Sequence, residues 1–228
     1  MTPQTSCPRL VFLGTGGGAH AERCHAAIAF QLAPGRVLLL DTGGGFEVVR
    51  QLKRAGIDLG EVTRIFLSHR HSDHLAGLEP LLLHIALQAM RARRTAADVH
   101  VYAHPQVLTA SQVVIEAMAS SAIEFLATAG ARVHWLPILP HGAPVEVWPD
   151  VRLTAFPADH IPDDGSCLGC AVELVAAERP YRVVYSGDTR STAALGNYVQ
   201  GADALIHEVG GVDAQSDAVG RAGHTTAG

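Results

Sequence analysis

The segment His69-Arg70-His71-Ser72-Asp73-His74 constrains this chain more than any other, because it places four potential metal ligands within six residues. Thr63-Arg64-Ile65-Phe66-Leu67-Ser68, just before it, is β-branched, aromatic and apolar, and predicts a short buried strand. Leu75 to Arg94, just after it, is long and apolar with glycine only at position 77, and predicts a helix. The four side chains are therefore expected on a strand-to-helix loop, where reactive groups are commonly mounted on a rigid frame. Imidazole and carboxylate donors together suit zinc, and also manganese or iron. A solvated polar loop has no need of His, His, Asp and His in so short a space.

With 228 residues, 48% of them apolar and 17% charged, the chain is expected to bury one sizeable core. No apolar run is long enough to span a bilayer. Met1-Thr2-Pro3-Gln4-Thr5-Ser6 lacks the basic-then-apolar order of a secretory leader. A net charge of −5 gives no blanket attraction for nucleic acid. The cluster Arg91, Arg93 and Arg94 falls at the end of a predicted helix, where cations complement the helix dipole. Cys7, Cys24, Cys167 and Cys170 include one Cys-x-x-Cys with no second pair to complete a thiolate site. They read as small buried or loop thiols of a reducing compartment, which points to the cytoplasm.

No repeat, low-complexity tract or charged linker interrupts residues 1–228, so one domain is expected. Leu10-Val11-Phe12-Leu13 predicts a strand ending in Gly14-Thr15-Gly16-Gly17-Gly18. Ala26, Ile28, Phe30 and Leu32 give a second strand one apolar face, and Val37-Leu38-Leu39-Leu40 form a third that delivers Asp41. Phe46, Val49 and Leu52 share a helical face, and a further helix is expected from Pro105 to about Ala129. Strands are expected at Val99–Tyr102, Val133–Leu136, Val145–Trp148, Val151–Phe156, Leu168–Val175, Arg182–Tyr185 and Ala204–Ile206. A helix is expected at Thr192–Val199 and another beginning at His224. Strands followed by helices in both halves suit two sheets packed face to face with helices outside.

Three later residues sit at predicted element ends and could complete the cluster: His160, Asp188 in Ser186-Gly187-Asp188-Thr189, and His224 in Gly223-His224-Thr225-Thr226-Ala227. In this order, with the six-residue motif, the chain resembles the metallo-β-lactamase superfamily of metal-dependent hydrolases. Leu40-Asp41-Thr42-Gly43 matches that superfamily's first motif. Gly14-Thr15-Gly16, Ser186-Gly187-Asp188-Thr189, Ile206-His207-Glu208 and His224-Thr225-Thr226-Ala227 look most like the ribonuclease Z and phosphodiesterase branch.

The resemblance implies an α/β, four-layer αββα sandwich of two mixed β-sheets with outer helices. It implies two divalent metal ions, zinc first with manganese or iron as alternatives. One ion would be held by His69, His71 and His160, the other by Asp73 and His74, with Asp188 bridging both. Two such cations can clamp an in-line displacement and acidify a water between them. Asp73 would also orient or deprotonate that water, and Asp41 would act behind the ligands by hydrogen bonds. In that branch the His of the His224 segment opens a helix and protonates the leaving oxygen, supported here by Glu208, while a last metal ligand follows after one more helix and strand. The sequence ends at residue 228, so either that C-terminal helix and strand are missing or His224 is itself a ligand.

The implied activity is hydrolysis of a small or cyclic phosphodiester by metal-activated water. Alternatives are a sulfate ester, carboxylic ester or lactone hydrolase, a transfer-RNA 3′-end endonuclease, an iron-dependent redox enzyme, and a non-catalytic binding module. The stretch from His160 to Asp188 leaves no room for the long flexible arm of transfer-RNA processing relatives. A small-molecule ester is therefore the expected partner, with neither nucleic acid nor a membrane, and a homodimer is left open.

Overall fold

The computed structural model describes residues 8–18, 20–118, 122–162, 164–175 and 180–227. Cys7 and the middle of the helix expected over 105–129 lie outside these residues. The chain divides into two compact units, Met1–Tyr102 with Gln106–Leu136, and Ala103–Pro105 with Pro137–Gly228.

The first unit is built on a six-stranded sheet: β1 (Arg9–Gly14), β2 (Ala27–Ala33), β3 (Arg36–Leu40), β4 (Val62–Phe66), β5 (Val99–Ala103) and β6 (Val133–Pro137), in that spatial order. β1, β2 and β3 run antiparallel, whereas β3, β4 and β5 run parallel. Leu38, Leu39, Leu40, Ile65 and Phe66 are fully buried. That is why Val37-Leu38-Leu39-Leu40 of β3 reads as an unbroken apolar run, as a parallel strand covered on both faces does, whereas β4 carries half-buried Thr63 and Arg64 before its apolar end. β2 was expected to have one apolar face, but Ala27, Ile28, Ala29 and Phe30 are all buried, the alanines filling the second face.

α1 (Glu47–Arg54) buries Val48, Val49 and Leu52. Phe46 does not join that face: it precedes the helix and is 56% exposed, so the apolar stripe starts two residues later than its spacing suggests. The helix expected from Leu75 to Arg94 is two, α2 (Ser72–Leu75) and α3 (Leu78–Arg91). Gly77 separates them, its N–H donating to the Gly43 carbonyl at 3.0 Å; a Cβ at Gly77 would lie 1.9 Å from the Thr42 carbonyl oxygen. The helix expected from Pro105 is likewise two, α4 (Pro105–Ala117) and α5 (Ala122–Thr128).

The second unit holds a five-stranded sheet of β7 (Val145–Trp148), β8 (Val151–Pro157), β9 (Leu168–Leu174), β10 (Tyr181–Tyr185) and β11 (Ala204–Ile206), ordered β11-β10-β9-β8-β7. Its pairs are antiparallel except β10 with β11. α6 (Ala193–Val199) is capped by the Thr192 side chain, which accepts from the Leu195 N–H. Its Leu195, Tyr198 and Val199 pack on Phe156, Ala171 and Val184. The helix expected to begin at His224 is absent: 224–227 is non-helical, and the helix here is α7 (Ser216–Arg221), ahead of His224. Each sheet is mixed, as expected for the class. Among the described residues, no single helix is long and apolar enough to cross a membrane.

Candidate metal centre

In the first unit the motif lies between β4 and α3. Asp73 and His74 are not on a loop, as expected, but inside the short helix α2, which places both side chains in buried positions. Asp41 follows β3 with φ of 56°, a left-handed conformation that a short polar side chain tolerates and that costs roughly 1–2 kcal/mol. That turn aims its carboxylate, wholly buried, at three donors. Oδ1 accepts from the Ser68 N–H at 2.7 Å, and Oδ2 accepts from Ser68 Oγ at 2.6 Å and His74 Nδ1 at 2.7 Å. Asp41 thus ties the motif strand to the motif helix. Thr42 adds a second tie, donating from both N–H and Oγ1 to the His74 carbonyl at 2.8 Å.

These bonds fix ring tautomers. Ser68 Oγ gives its proton to Asp41, so its 3.0 Å contact with His69 Nδ1 requires the ring to donate. His74 Nδ1 must donate to a carboxylate. Nε2 of each neutral ring therefore carries a lone pair, the form a metal ion binds. His69 Nε2 lies 3.0 Å from His71 Nδ1, and His74 Nε2 lies 3.5 Å from Asp73 Oδ2. Sequence reasoning missed Ser68, although a hydroxyl directly before the first motif histidine hints at it.

In the second unit His160 follows β8 and is 97% buried, with 3% of its surface exposed. Its Nδ1 donates to the Gly223 carbonyl at 2.9 Å, again leaving Nε2 with a lone pair. Asp188 follows β10 after a turn at Gly187 with φ of 60°. Its Oδ2 lies 3.9 Å from both His160 Nε2 and His224 Nδ1. His160, Asp188 and His224 bring one ligand atom each to within 4.8 Å of one another. His224 Nδ1 also meets Glu208 Oε1 at 2.8 Å, and that oxygen accepts from the Thr189 N–H at 2.9 Å. Glu208 thereby joins the Asp188 turn to His224.

Asp159 and Arg190, unforeseen from sequence, hold the same loops together. Arg190 Nη1 donates to Asp159 Oδ1 at 2.8 Å and Nε donates to the Gly220 carbonyl at 2.6 Å. His207 does not touch His224. Its Nδ1 meets Ser186 Oγ at 2.9 Å, while burial pushes its imidazole below the ordinary value against the pull of Glu208. A neutral His207 pinning the Gly187 turn accounts for both facts. Cys167 and Cys170 are buried, and neither belongs to a ligand cluster found among the described residues.

The donor set fits divalent metal: His69, His74 and His160 each have Nδ1 anchored to a protein oxygen, which leaves Nε2 as the ligand atom.

Known proteins share this fold. Ribonuclease Z of Methanothermobacter thermautotrophicus is 26% identical over 260 residues, covering 96% of this chain and 79% of that protein. The crystal structure of the short form of human tRNase Z (ELAC1) is 25% identical, with a TM-score of 0.72 over 96% of this chain and 84% of its own. The metallo-β-lactamase fold protein YhfI from Bacillus subtilis, 19% identical, matches with a TM-score of 0.73 over 95% of this chain and 77% of its own. The fold is the metallo-β-lactamase fold, and the chain is a ribonuclease Z-like hydrolase of that superfamily, acting on ester bonds. Within it, the profile described as Anti-Pycsar protein Apyc1 matches residues 8–218, and the chain belongs to that family.

Proposed function

We propose that residues 1–228 act as one metallo-β-lactamase-like domain that hydrolyses a small or cyclic phosphodiester at a dinuclear centre. The observation that carries this reading is the common anchoring of His69, His74 and His160 through Nδ1. Three imidazoles presented in one tautomer suit ligation far better than solvation. His69, His71 and His160 would hold one ion, Asp73 and His74 the other, and Asp188 both. Zinc is the preferred ion for such nitrogen and oxygen donors, ahead of manganese or iron.

Bound divalent ions would supply Lewis acidity, lowering the pKa of water and offsetting charge that develops on phosphoryl oxygens. The protein's part is positional. Asp73 orients the attacking water and takes its proton as the new phosphorus–oxygen bond forms. His224, its Nδ1 paired with Glu208, gives a proton from Nε2 to the departing oxygen as the old bond breaks.

RNA cleavage is the second reading, favoured by the match to ribonuclease Z over 96% of the chain. Against it stand the net charge of −5 and the stretch from His160 to Asp188, which holds β9 and β10. The deciding experiment gives metal-loaded protein bis-(p-nitrophenyl) phosphate, a cyclic phosphodiester, p-nitrophenyl sulfate, p-nitrophenyl acetate and a precursor transfer RNA. Preferred turnover of the small diesters is expected. Cleavage of the RNA alone, or of the acetate alone, would overturn the assignment.

A further inference from the structure

The glycine run Gly14-Thr15-Gly16-Gly17-Gly18 has no part in the proposed chemistry, yet three of its glycines each meet a close neighbour in the first unit. A Cβ at Gly14 would lie 2.0 Å from the His25 carbonyl oxygen, and one at Gly16 would lie 2.9 Å from Arg23 Cβ. Both glycines are buried, and Gly16 bridges to His25 while its N–H donates to the Cys24 carbonyl at 2.8 Å. Glu47 clamps that segment in turn: its Oε1 accepts from the His25 N–H at 2.8 Å, His25 Nδ1 at 2.9 Å and the Gly44 N–H at 2.9 Å. Gly17 is different, with open space where its Cβ would be.

Gly18 faces the motif instead. A Cβ there would stand 3.2 Å from Asp73 Cγ, 3.2 Å from Oδ2 and 3.3 Å from Oδ1. Three nearly equal distances put that point over the face of the carboxylate, since at its edge the two oxygens would be nearer than the carbon. The acceptor lone pairs lie in the carboxylate plane, so Gly18 covers the face and not the edge at which a metal ion or water binds. A methyl group at that point is closer than ordinary carbon contact. The loop is pinned two residues earlier at Gly16, so the carboxylate is the part that gives.

We propose that Gly18 is a positioning residue for Asp73: its bare Cα packs on one face of the carboxylate and holds both oxygens in the plane where they bind metal and water. This rests on the hydrolytic reading above, in which Asp73 is both ligand and base, and adds the element that sets its orientation. The Asp73 backbone is fixed in α2, so rotation about its side-chain bonds is what the loop restrains. Gly18 is exposed and its backbone is not left-handed, so conformational freedom does not explain a glycine here. The approach to Asp73 does.

The test sets Gly18→Ala beside Gly17→Ala in the full chain. Both substitutions stiffen the same loop, but only the first adds a methyl group against Asp73. Titration calorimetry of the metal-free proteins with zinc should show affinity about tenfold weaker for Gly18→Ala, the low end of what outer partners of a metal site contribute. Gly17→Ala should bind zinc as wild type does. In the zinc-loaded proteins, kcat for bis-(p-nitrophenyl) phosphate should fall about tenfold in Gly18→Ala with KM changing far less, because the lost orientation acts on the attacking water. An Asp73→Ala background supplies the second check: if Gly18 acts through the carboxylate, adding Gly18→Ala there should weaken zinc binding no further. Equal zinc affinity in Gly18→Ala and Gly17→Ala, or a further loss in the Asp73→Ala background, would overturn the proposal while leaving the hydrolytic reading intact. If the wild type binds zinc but turns over no ester, that reading fails, and the same affinity comparison still decides for Gly18. A wild type that binds neither zinc nor manganese would overturn both.

Discussion

His160 Nδ1 donates to the carbonyl of Gly223, the residue immediately before His224, at 2.9 Å. One peptide thus sets the tautomer of a proposed ligand and the position of the proposed proton donor. The two rings lie with centroids 4.7 Å apart as a result. Gly223 has φ of 84°, and a Cβ there would meet the His160 carbonyl oxygen at 2.3 Å and Nδ1 at 2.8 Å. Gly223→Ala should therefore cost at least about 1–2 kcal/mol of stability from the left-handed backbone alone. It should also lower metal content and activity together. Denaturant unfolding of the variant beside elemental analysis checks this, and full metal content with wild-type stability would refute it.

Asp188 Oδ2 stands 3.9 Å from His160 Nε2 and from His224 Nδ1. If Asp188 bridges two ions, Asp188→Ala should reduce bound metal towards one ion or fewer per chain. Elemental analysis after exhaustive dialysis gives the ratio. Unchanged stoichiometry contradicts the bridging role.

Glu208 and His224 act as a unit in the proposed chemistry, since Nδ1 of the ring is paired with Oε1 at 2.8 Å. His224→Ala should slow hydrolysis of diesters with poor leaving groups by 100-fold or more, roughly the worth of a general acid, and good leaving groups far less. Glu208→Gln should show the same dependence on leaving group in weaker form. Rates across substituted phenyl diesters, with metal content measured in parallel, decide between roles. Loss of one ion in His224→Ala would make that residue a ligand.

Much of this was legible before the structure because it is local. β3 announces itself as an apolar run, β4 by its β-branched and aromatic residues, and the six-residue motif needs no tertiary contact to be seen. What was not legible depends on distant partners. The break between α2 and α3 follows from the approach of Gly77 to the Thr42 carbonyl, 35 positions earlier in sequence, and no periodicity records it. Phe46 fits the spacing of α1's buried stripe, yet Glu47 starts the helix by turning its carboxylate back onto Gly44 and His25. α7 was missed because six largely polar residues bury one side chain, Val219, and so carry no apolar stripe. The positive φ of Asp41 is equally silent in sequence, since it arises from the three donors that its carboxylate must reach.

Asp41 gives a prediction that separates shape from proton placement. Asp41→Ala removes the acceptor of buried Ser68 and His74 donors, and should destabilise the fold by about 2–3 kcal/mol. Asp41→Asn keeps the size of the side chain. If its amide faces His74, Nδ1 must accept instead of donate, and the ring proton moves to Nε2, where the lone pair for metal is needed. Metal affinity should then fall about 10–100-fold with a smaller loss of stability. Titration calorimetry of metal-free protein with zinc distinguishes the two variants, and equal affinity in wild type and Asp41→Asn would show that this bond does not set the tautomer.

Glu47 supplies the pH dependence. Burial alone would raise its carboxyl, but the Gly44 and His25 N–H groups and the His25 ring outweigh it and hold the folded-state value below the ordinary 4.5. A depressed folded value means that the unfolded chain takes up the proton first as pH falls. Glu47 therefore contributes its full stabilisation above about pH 5 and loses it progressively as pH drops through the folded value. Glu47→Gln should be less stable than wild type by about 1–2 kcal/mol at neutral pH, the scale of hydrogen bonds to a charged group. The gap should narrow below pH 4.5, because a neutral carboxyl and an amide then make comparable bonds. Urea unfolding of both proteins from pH 7 to pH 3.5 measures the gap directly. A constant difference across that range would mean that the clamp owes its strength to shape and not to charge.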